Sequence, residues 1–196
     1  TRENSYESFK GIILTDTFQL YEQERDMVAN LLPDNSNKRM RQKKLNIQVI
    51  IGNPPYSAKQ SSVNDDAANV KYPNLDNKIE KTYVNSSTAN NKNILYDSYI
   101  RAFRWASDRL DNGVIGFVTG AGWIDRSFAD GLRKHFYEEF SSIYIVNLRG
   151  DIRKNILSSG EAGEGENVFG QGSMTGIAIT FLVKNKKNNK KGIFYY

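Results

Sequence analysis

Asn53-Pro54-Pro55-Tyr56 places a side-chain amide, an aromatic ring and two backbone carbonyls together. The tetrapeptide follows Ile47-Gln48-Val49-Ile50-Ile51-Gly52. That apolar run predicts a strand over 47–51, buried on both faces of a parallel sheet. Two prolines end it, because proline fixes φ and carries no N–H for the ladder. The chain must then leave the sheet in a rigid, extended turn. Open α/β sheets bind ligands at this place, outside the C-terminal ends of their strands. The four residues offer acceptors and a stacking face, but no acid, base or metal ligand. That set suits a planar substrate carrying an amino group.

The elements around the tetrapeptide alternate. Lys10–Thr15 is a short apolar run and strand candidate, followed by Asp16-Thr17-Phe18. Residues 19–31 form a weakly patterned helical candidate. Residues 33–46 are polar and basic, and read as a solvated surface stretch, with phosphate contact as the sharper option. Residues 57–93 are long and rich in Asn, Asp and Ser, a length that points to function or mobility. Leu95, Tyr99, Ala102, Phe103, Ala106 and Leu110 then recur at helical spacing, and Asp111-Asn112-Gly113 supplies a stop. Val114–Thr119 reads as a buried strand. Asp125 is a candidate N-cap for a helix whose stripe is Phe128, Leu132, Phe136 and Phe140. His135 lies off that stripe and reads as a surface residue. Tyr96 reads as a helix-packing residue before a pocket-lining one. Ile143–Leu148 and Thr175–Lys184 are strands joined by a glycine-rich, acidic loop over 150–173. With no helix between them they read as an antiparallel hairpin at one edge. Asn185–Lys191 is a basic turn, and a further strand starts at Gly192.

Strands alternating with helices imply βαβ units and a doubly wound sheet. A chain of 196 residues accommodates one domain with a substantial core. Its 27 basic and 22 acidic residues give a net charge of +5, compatible with a nucleic-acid partner without requiring one. The absence of cysteine excludes disulfides and thiolate metal sites, and a single histidine argues against a histidine-rich metal centre. No apolar stretch reaches membrane-spanning length and no signal peptide is visible, so a cytoplasmic location is the default expectation.

The hydrophobic strand followed by Asn53-Pro54-Pro55-Tyr56 resembles motif IV of the amino-methyltransferases. The order of the remaining segments resembles that of adenine-N6 DNA methyltransferases, and the wording is closest to the methyltransferase part of single-chain type ISP restriction-modification enzymes. Asp16-Thr17-Phe18 resembles the acidic motif III that holds the cofactor's adenine. Leu95–Asp111 and Val114–Trp123 resemble the helix and strand after motif IV. Asn167-Val168-Phe169-Gly170-Gln171, running into Thr175–Val183, resembles motif VIII, whose aromatic residue stacks on the extruded base. The likeness spans roughly residues 9–184.

The resemblance implies a partial Rossmann-like fold of the S-adenosylmethionine-dependent methyltransferases, mostly parallel and closed by an antiparallel hairpin strand. It implies Asn53, Pro54, Pro55 and Tyr56 as the catalytic set and Tyr56 with Phe169 as the base-stacking pair. Asp16, Thr17 and Phe18 would bind S-adenosylmethionine, and no metal would be used. Double-stranded DNA is the implied partner, with a flipped adenine as substrate. Motif I, the glycine-rich cofactor turn, has no counterpart in residues 1–15, where Gly11 is the single glycine. Residues 1–45 are therefore expected to be a remnant of the cofactor half with its first strands missing, and 46–184 the substrate half. Residues 185–196 begin a further strand. An internal piece of a longer polypeptide is expected, joined to a motif I region and a target-recognition domain, with helicase and nuclease domains as further candidates. Alone it is expected to be inactive.

Two other readings stay open. One is methylation of another amine, a protein glutamine or an RNA base, with cytosine N4 chemically close. The other is a non-catalytic DNA-binding module of a restriction complex.

Overall fold

The computed structural model describes residues 9–22, 31–55, 71–151, 175–188 and 191–196. They divide into two compact units, Thr1–Leu45 and Asn46–Tyr196.

In the first unit, the run Lys10–Thr15 does not become a strand. Instead, the Asn35 side-chain amide takes the place of a ladder partner. It accepts from Leu14 N and donates to Leu14 O, both at 2.8 Å. Residues 33–46, read as a solvated polar and basic stretch, contain helix α1 over Pro33–Lys44, most of it exposed. Proline at its start suits a position whose N–H would be orphaned anyway. Asp34 in the first turn and Arg41, Lys43 and Lys44 in the last complement the helix dipole. Of the helical candidate 19–31, the described part is a single 3-10 turn, Phe18–Leu20; residues 23–30 lie outside the described set.

The second unit is a five-stranded sheet in the order β1-β2-β4-β3-β5. The strands are β1 (Val49–Gly52), β2 (Gly113–Gly120), β3 (Ser142–Arg149), β4 (Ile177–Lys184) and β5 (Gly192–Tyr195). β1 runs parallel to β2 and β5 parallel to β3, while β4 is antiparallel to both β2 and β3. The β3–β4 hairpin therefore forms as expected, but not at the sheet edge. β4 inserts between β2 and β3, and β5 adds a strand outside them.

Helices cover one face. α3 (Ser98–Arg109) and α5 (Asp130–Glu139) carry the expected stripes: Leu95, Tyr99, Ala102, Phe103, Ala106, Leu110, Phe128, Leu132, Phe136 and Phe140 are all buried. Phe103 is the hub, with its ring 5.3 Å from Phe117 of β2, 5.9 Å from Trp123 and 5.0 Å from Phe136. Tilted and edge-on aromatic pairs of this kind add about 0.5–1.5 kcal/mol each beyond area burial.

Three expectations are corrected here. Part of the 57–93 segment is α2 (Pro73–Ile79), continued by a π turn over Glu80–Val84. It buries Tyr72, Leu75, Ile79 and Tyr83, so one face of residues 72–83 belongs to the core. Asp125 is the last residue of a one-turn helix, α4 (Gly122–Asp125), and does not cap α5. That helix begins at Asp130, whose carboxylate accepts from Thr88 N, Thr88 Oγ1 and Gly131 N. Burial of Asp130 opposes its charge, but bonds from Ser87, Thr88 and Gly131 outweigh it and hold the carboxyl below its ordinary range. His135, expected at the surface, is half-buried. Its ring lies 3.0 Å from Ser86 Oγ and meets Tyr83 edge-on at 5.7 Å, because the unforeseen α2 segment packs against α5.

β1 also departs from expectation. It pairs with β2 on one side only among the described residues, and Val49 is 60% and Ile51 82% exposed. Its apolar run signals a strand correctly, but not one buried on both faces. What fixes its height is Gly113, with φ 144, whose missing Cβ would stand 1.9 Å from Gln48 O. That approach lets Val114 N donate to Gln48 O at 2.8 Å and sets the β1–β2 register.

No helix among the described residues is long and apolar enough to cross a membrane.

Candidate active site

Parallel β1, β2 and β3 end at the same edge of the sheet, and β4 starts there. Four stretches meet at that edge: Asn53-Pro54-Pro55, Gly120-Ala121, Arg149-Gly150-Asp151 and Thr175-Gly176. Pairing of Gly52 with Phe117 puts Pro55 level with Gly120, and Gly120 and Arg149 both pair with Ile177. α3 returns from this edge to the opposite one, so its N-cap Asp97 belongs to the same end.

Asn53 is exposed and Pro54 half-buried. Neither the Asn53 amide nor the Pro54 carbonyl is engaged by a described residue. Gly52 makes the exit possible, since a Cβ there would sit 3.2 Å from the Phe117 ring. The strand thus delivers two acceptors, held by proline geometry and unengaged by the described residues. In chemical terms this is a fork that can take both hydrogens of a primary amino group. Tyr56 and Phe169 lie outside the described residues.

Asp16, Thr17 and Phe18 belong to the first unit. The Asp16 carboxylate accepts from Phe18 N at 2.9 Å, a short turn that leads into the 3-10 helix. Asp16 is exposed and the Phe18 ring half-buried. A carboxylate beside an aromatic ring has the chemistry to hold a nucleoside, accepting from a hydroxyl or amino group and covering a base. Among the described residues of this unit, no glycine-rich turn follows a strand.

The edge contains features that the sequence did not suggest. Asp97 accepts from Tyr99 N, yet burial pushes its carboxyl up to about 6 against hydrogen bonds from Tyr99 and Ser98 and the charge of Arg101. Arg126 Nη2 pairs with Asp151 at 2.8 Å, and Arg133 Nη1 donates to the carbonyls of Trp123 and Arg126, both at 2.9 Å. Ala121 N donates to Gly176 O at 2.7 Å. These contacts tie the exits of β2 and β3 together. Arg149 has φ 61, in the left-handed region, which costs an arginine about 1–2 kcal/mol. A β-bulge between Asn147 and Arg149 precedes it. Neither the strain nor the bulge has a sequence signal; Gly150, with φ 82, is the nearest hint.

The opposite end holds a different set. Arg104 is buried and forms paired bonds to Glu139 at 2.7 and 2.9 Å, with Asp108 and the Tyr83 hydroxyl also in reach. Burial opposes its charge, but Tyr83, Glu139 and Asp108 outweigh that and keep the guanidinium protonated. Lys184 Nζ caps α3 through the carbonyls of Ser107 and Leu110, and Lys191 Nζ caps α5 through those of Glu138 and Phe140.

The model of the Eco57I restriction-modification methylase family matches residues 3–153. No curated protein sequence matches. Among solved structures, a nuclease-deletion mutant of the type ISP restriction-modification enzyme LlaGI, in complex with a DNA substrate mimic, is 44% identical with a TM-score of 0.88. It covers 100% of this chain, which covers 16% of that one. The ATP-dependent type ISP enzyme LlaBIII bound to DNA is 44% identical at a TM-score of 0.84, covering 99% of this chain and 13% of its own. A DrdV–DNA complex is 36% identical at 0.82, covering 97% and 18%. The chain thus spans less than a fifth of each solved relative. The expected architecture, a partial methyltransferase sheet, agrees with these structures. The chain belongs to the Eco57I restriction-modification methylase family.

Proposed function

We propose that residues 46–184 are the substrate half of a DNA methyltransferase that acts on adenine N6 within a restriction-modification enzyme. Residues 1–45 are then the remnant of its cofactor half, and 185–196 lead into a further strand. The observation that carries the reading is the Asn53–Pro54 fork, an exposed amide and a half-buried carbonyl at a strand's C-terminal end, neither engaged by a described residue.

An exocyclic amine on a purine is a weak nucleophile because its lone pair is delocalised into the ring. The Asn53 side-chain carbonyl and the Pro54 carbonyl accept its two hydrogens. This favours tetrahedral nitrogen and turns the lone pair toward the incoming methyl. Pro55 holds the Pro54 carbonyl in direction. Tyr56 and Phe169 stack on the base, a contact worth about 1–3 kcal/mol per base. The base must leave the duplex to reach them. Asp16, Thr17 and Phe18 would hold part of an S-adenosylmethionine cofactor, which would supply an electrophilic methyl group. The nitrogen's lone pair would form the new C–N bond as the methyl–sulfur bond of the donor breaks, the sulfur keeping that electron pair and leaving as the neutral thioether, and one N–H proton would pass to solvent. The remaining contribution is positioning and preorganised dipoles.

The intact protein is proposed to bind double-stranded DNA and to act in the cytoplasm with the rest of its polypeptide. That remainder is proposed to include a motif I region and a target-recognition domain, with helicase and nuclease domains as further candidates. Residues 1–196 alone are proposed to be inactive. The test is Asn53→Ala in the full-length protein, with duplex DNA digested to nucleosides afterwards. Wild type should yield N6-methyladenine and the variant none, with duplex binding retained. Near-normal methylation by the variant refutes the mechanism, and N4-methylcytosine in the wild-type digest refutes the adenine assignment.

A further inference from the structure

The strained residue at the site edge remains unexplained by the amine fork. Arg149 ends β3 immediately after a bulge, with φ 61, and Gly150 follows with φ 82. Bulges beside sites re-aim side chains, and left-handed non-glycine residues persist where the surroundings enforce them. Here the enforcement is visible. Arg149 N donates to Asn147 Oδ1 at 2.9 Å, and Asn147 is held in turn by Tyr195, whose hydroxyl takes Nδ2 at 2.6 Å. Gly176 packs against Arg149 O, where a Cβ would stand 3.2 Å away. Asp151, two residues on, is paired with Arg126.

This apparatus orders a backbone, yet the side chain it orders is exposed, and among the described residues the guanidinium meets no carboxylate. A strained arginine whose guanidinium has no carboxylate partner among the described residues adds no ion pair to their packing. Its position is informative. Arg149 is level with Pro55 through the Gly120–Ile177–Arg149 register, and β2 and β4 lie between β1 and β3. Three strand spacings make that roughly 14 Å along the sheet edge from the amine fork. That separation suits the sugar-phosphate chain beside a base seated at Asn53, not the base itself. A guanidinium is the side chain best matched to a phosphate.

We propose that Arg149 binds a backbone phosphate of the DNA strand presenting the target base, and so positions that strand across the end of the sheet. The proposal rests on the DNA-methyltransferase reading above. Phosphate contacts fix register on the duplex without reading sequence, so the contact serves any site the enzyme recognises.

The test uses the full-length protein, fluorescence anisotropy with a cognate and an unrelated duplex, and thermal unfolding. Arg149→Gly removes the charge and relieves the strain, since glycine adopts positive φ freely. Its melting temperature should equal or exceed that of wild type. Its affinity should fall about three- to tenfold on both duplexes, and the slope of log affinity against log salt should become shallower by about 1. Arg149→Lys should keep most of the slope. Unchanged affinity and slope in Arg149→Gly, a loss confined to the cognate duplex, or a lowered melting temperature would each overturn the proposal. Asn53→Ala is assayed alongside. Methylation surviving in that variant breaks the underlying reading, whereas its loss together with a silent Arg149→Gly breaks only the phosphate contact.

Discussion

The two ends of the sheet are built on different terms. At the end where the parallel strands begin, charges are answered in place: Arg104 by Glu139 and Asp108, and the α3 and α5 C-termini by Lys184 and Lys191. At the end where they finish, the outliers collect. Asn53 offers an unengaged amide, Arg149 a strained backbone, and Asp97 a carboxyl with a raised pKa. Local consistency marks the scaffold, and the departures from it gather at the candidate site. The same four strands run through both ends, so the difference lies in the residues and not in the architecture.

The comparison can be broken first at Asn53. Asn53→Ala should lower methyl transfer by at least about 10²–10³-fold, the range seen when one preorganised dipole is lost. Because the side chain is exposed, stability should stay within about 0.5 kcal/mol. Activity with a loss of several kcal/mol in stability would make Asn53 a scaffold residue.

Arg104→Ala should do the reverse. It strands Glu139, Asp108 and the Tyr83 hydroxyl, and breaking a buried pair costs about 3–5 kcal/mol. Urea unfolding measures it. The expected signature is a lower midpoint without a change in the salt slope of DNA binding.

Asp97→Asn tests whether the site end carries a stability cost. The folded carboxyl titrates near 6, above its ordinary 3.8, so the folded state binds more protons between those values. Stability should therefore fall as pH rises from about 4 to about 6, and stay low above that. Asparagine caps a helix as well as aspartate does and carries no charge. The variant should gain about 1–2 kcal/mol at pH 8 and flatten the profile between pH 4 and 6. A loss of stability at pH 8 would contradict the burial account.

The smallest effect is expected at Ile51, two residues before Asn53. At 82% exposure it contributes little burial, so Ile51→Thr should change stability by less than about 0.5 kcal/mol in urea titrations. A larger loss would mean that the edge strand depends on its outer face.

What the sequence disclosed follows from these terms. The stripes of α3 and α5 and the runs of β2, β3 and β4 were legible because each repeats a period against the core. The Asn53-Pro54-Pro55 exit was legible because proline acts locally. α1 escaped notice because it has no apolar stripe; proline at its start and charges matched to its dipole are consistent with the helix it forms. α2 did leave a signal, Tyr72-Leu75-Ile79-Tyr83 at helical spacing, masked by the asparagines and charges between. β1 is less buried than its apolar run implies, because such a run reports a strand and not the number of layers packed on it. Arg149, Asp97 and the Arg104 network depend on contacts between distant segments, which no local pattern encodes.

Gly113 has a consequence at a distance. The fork at Asn53 is a cantilever, and its anchor is the point where Gly113 lets Gln48 O come close. Any side chain there must push the root of β1 away from β2, and a stiff four-residue strand transmits that displacement to its tip. From Gln48 to Asn53 is about 16 Å of extended chain. Gly113→Ala should therefore act as a tilt applied from afar, spoiling the aim of two carbonyls while leaving every residue of the candidate site unchanged.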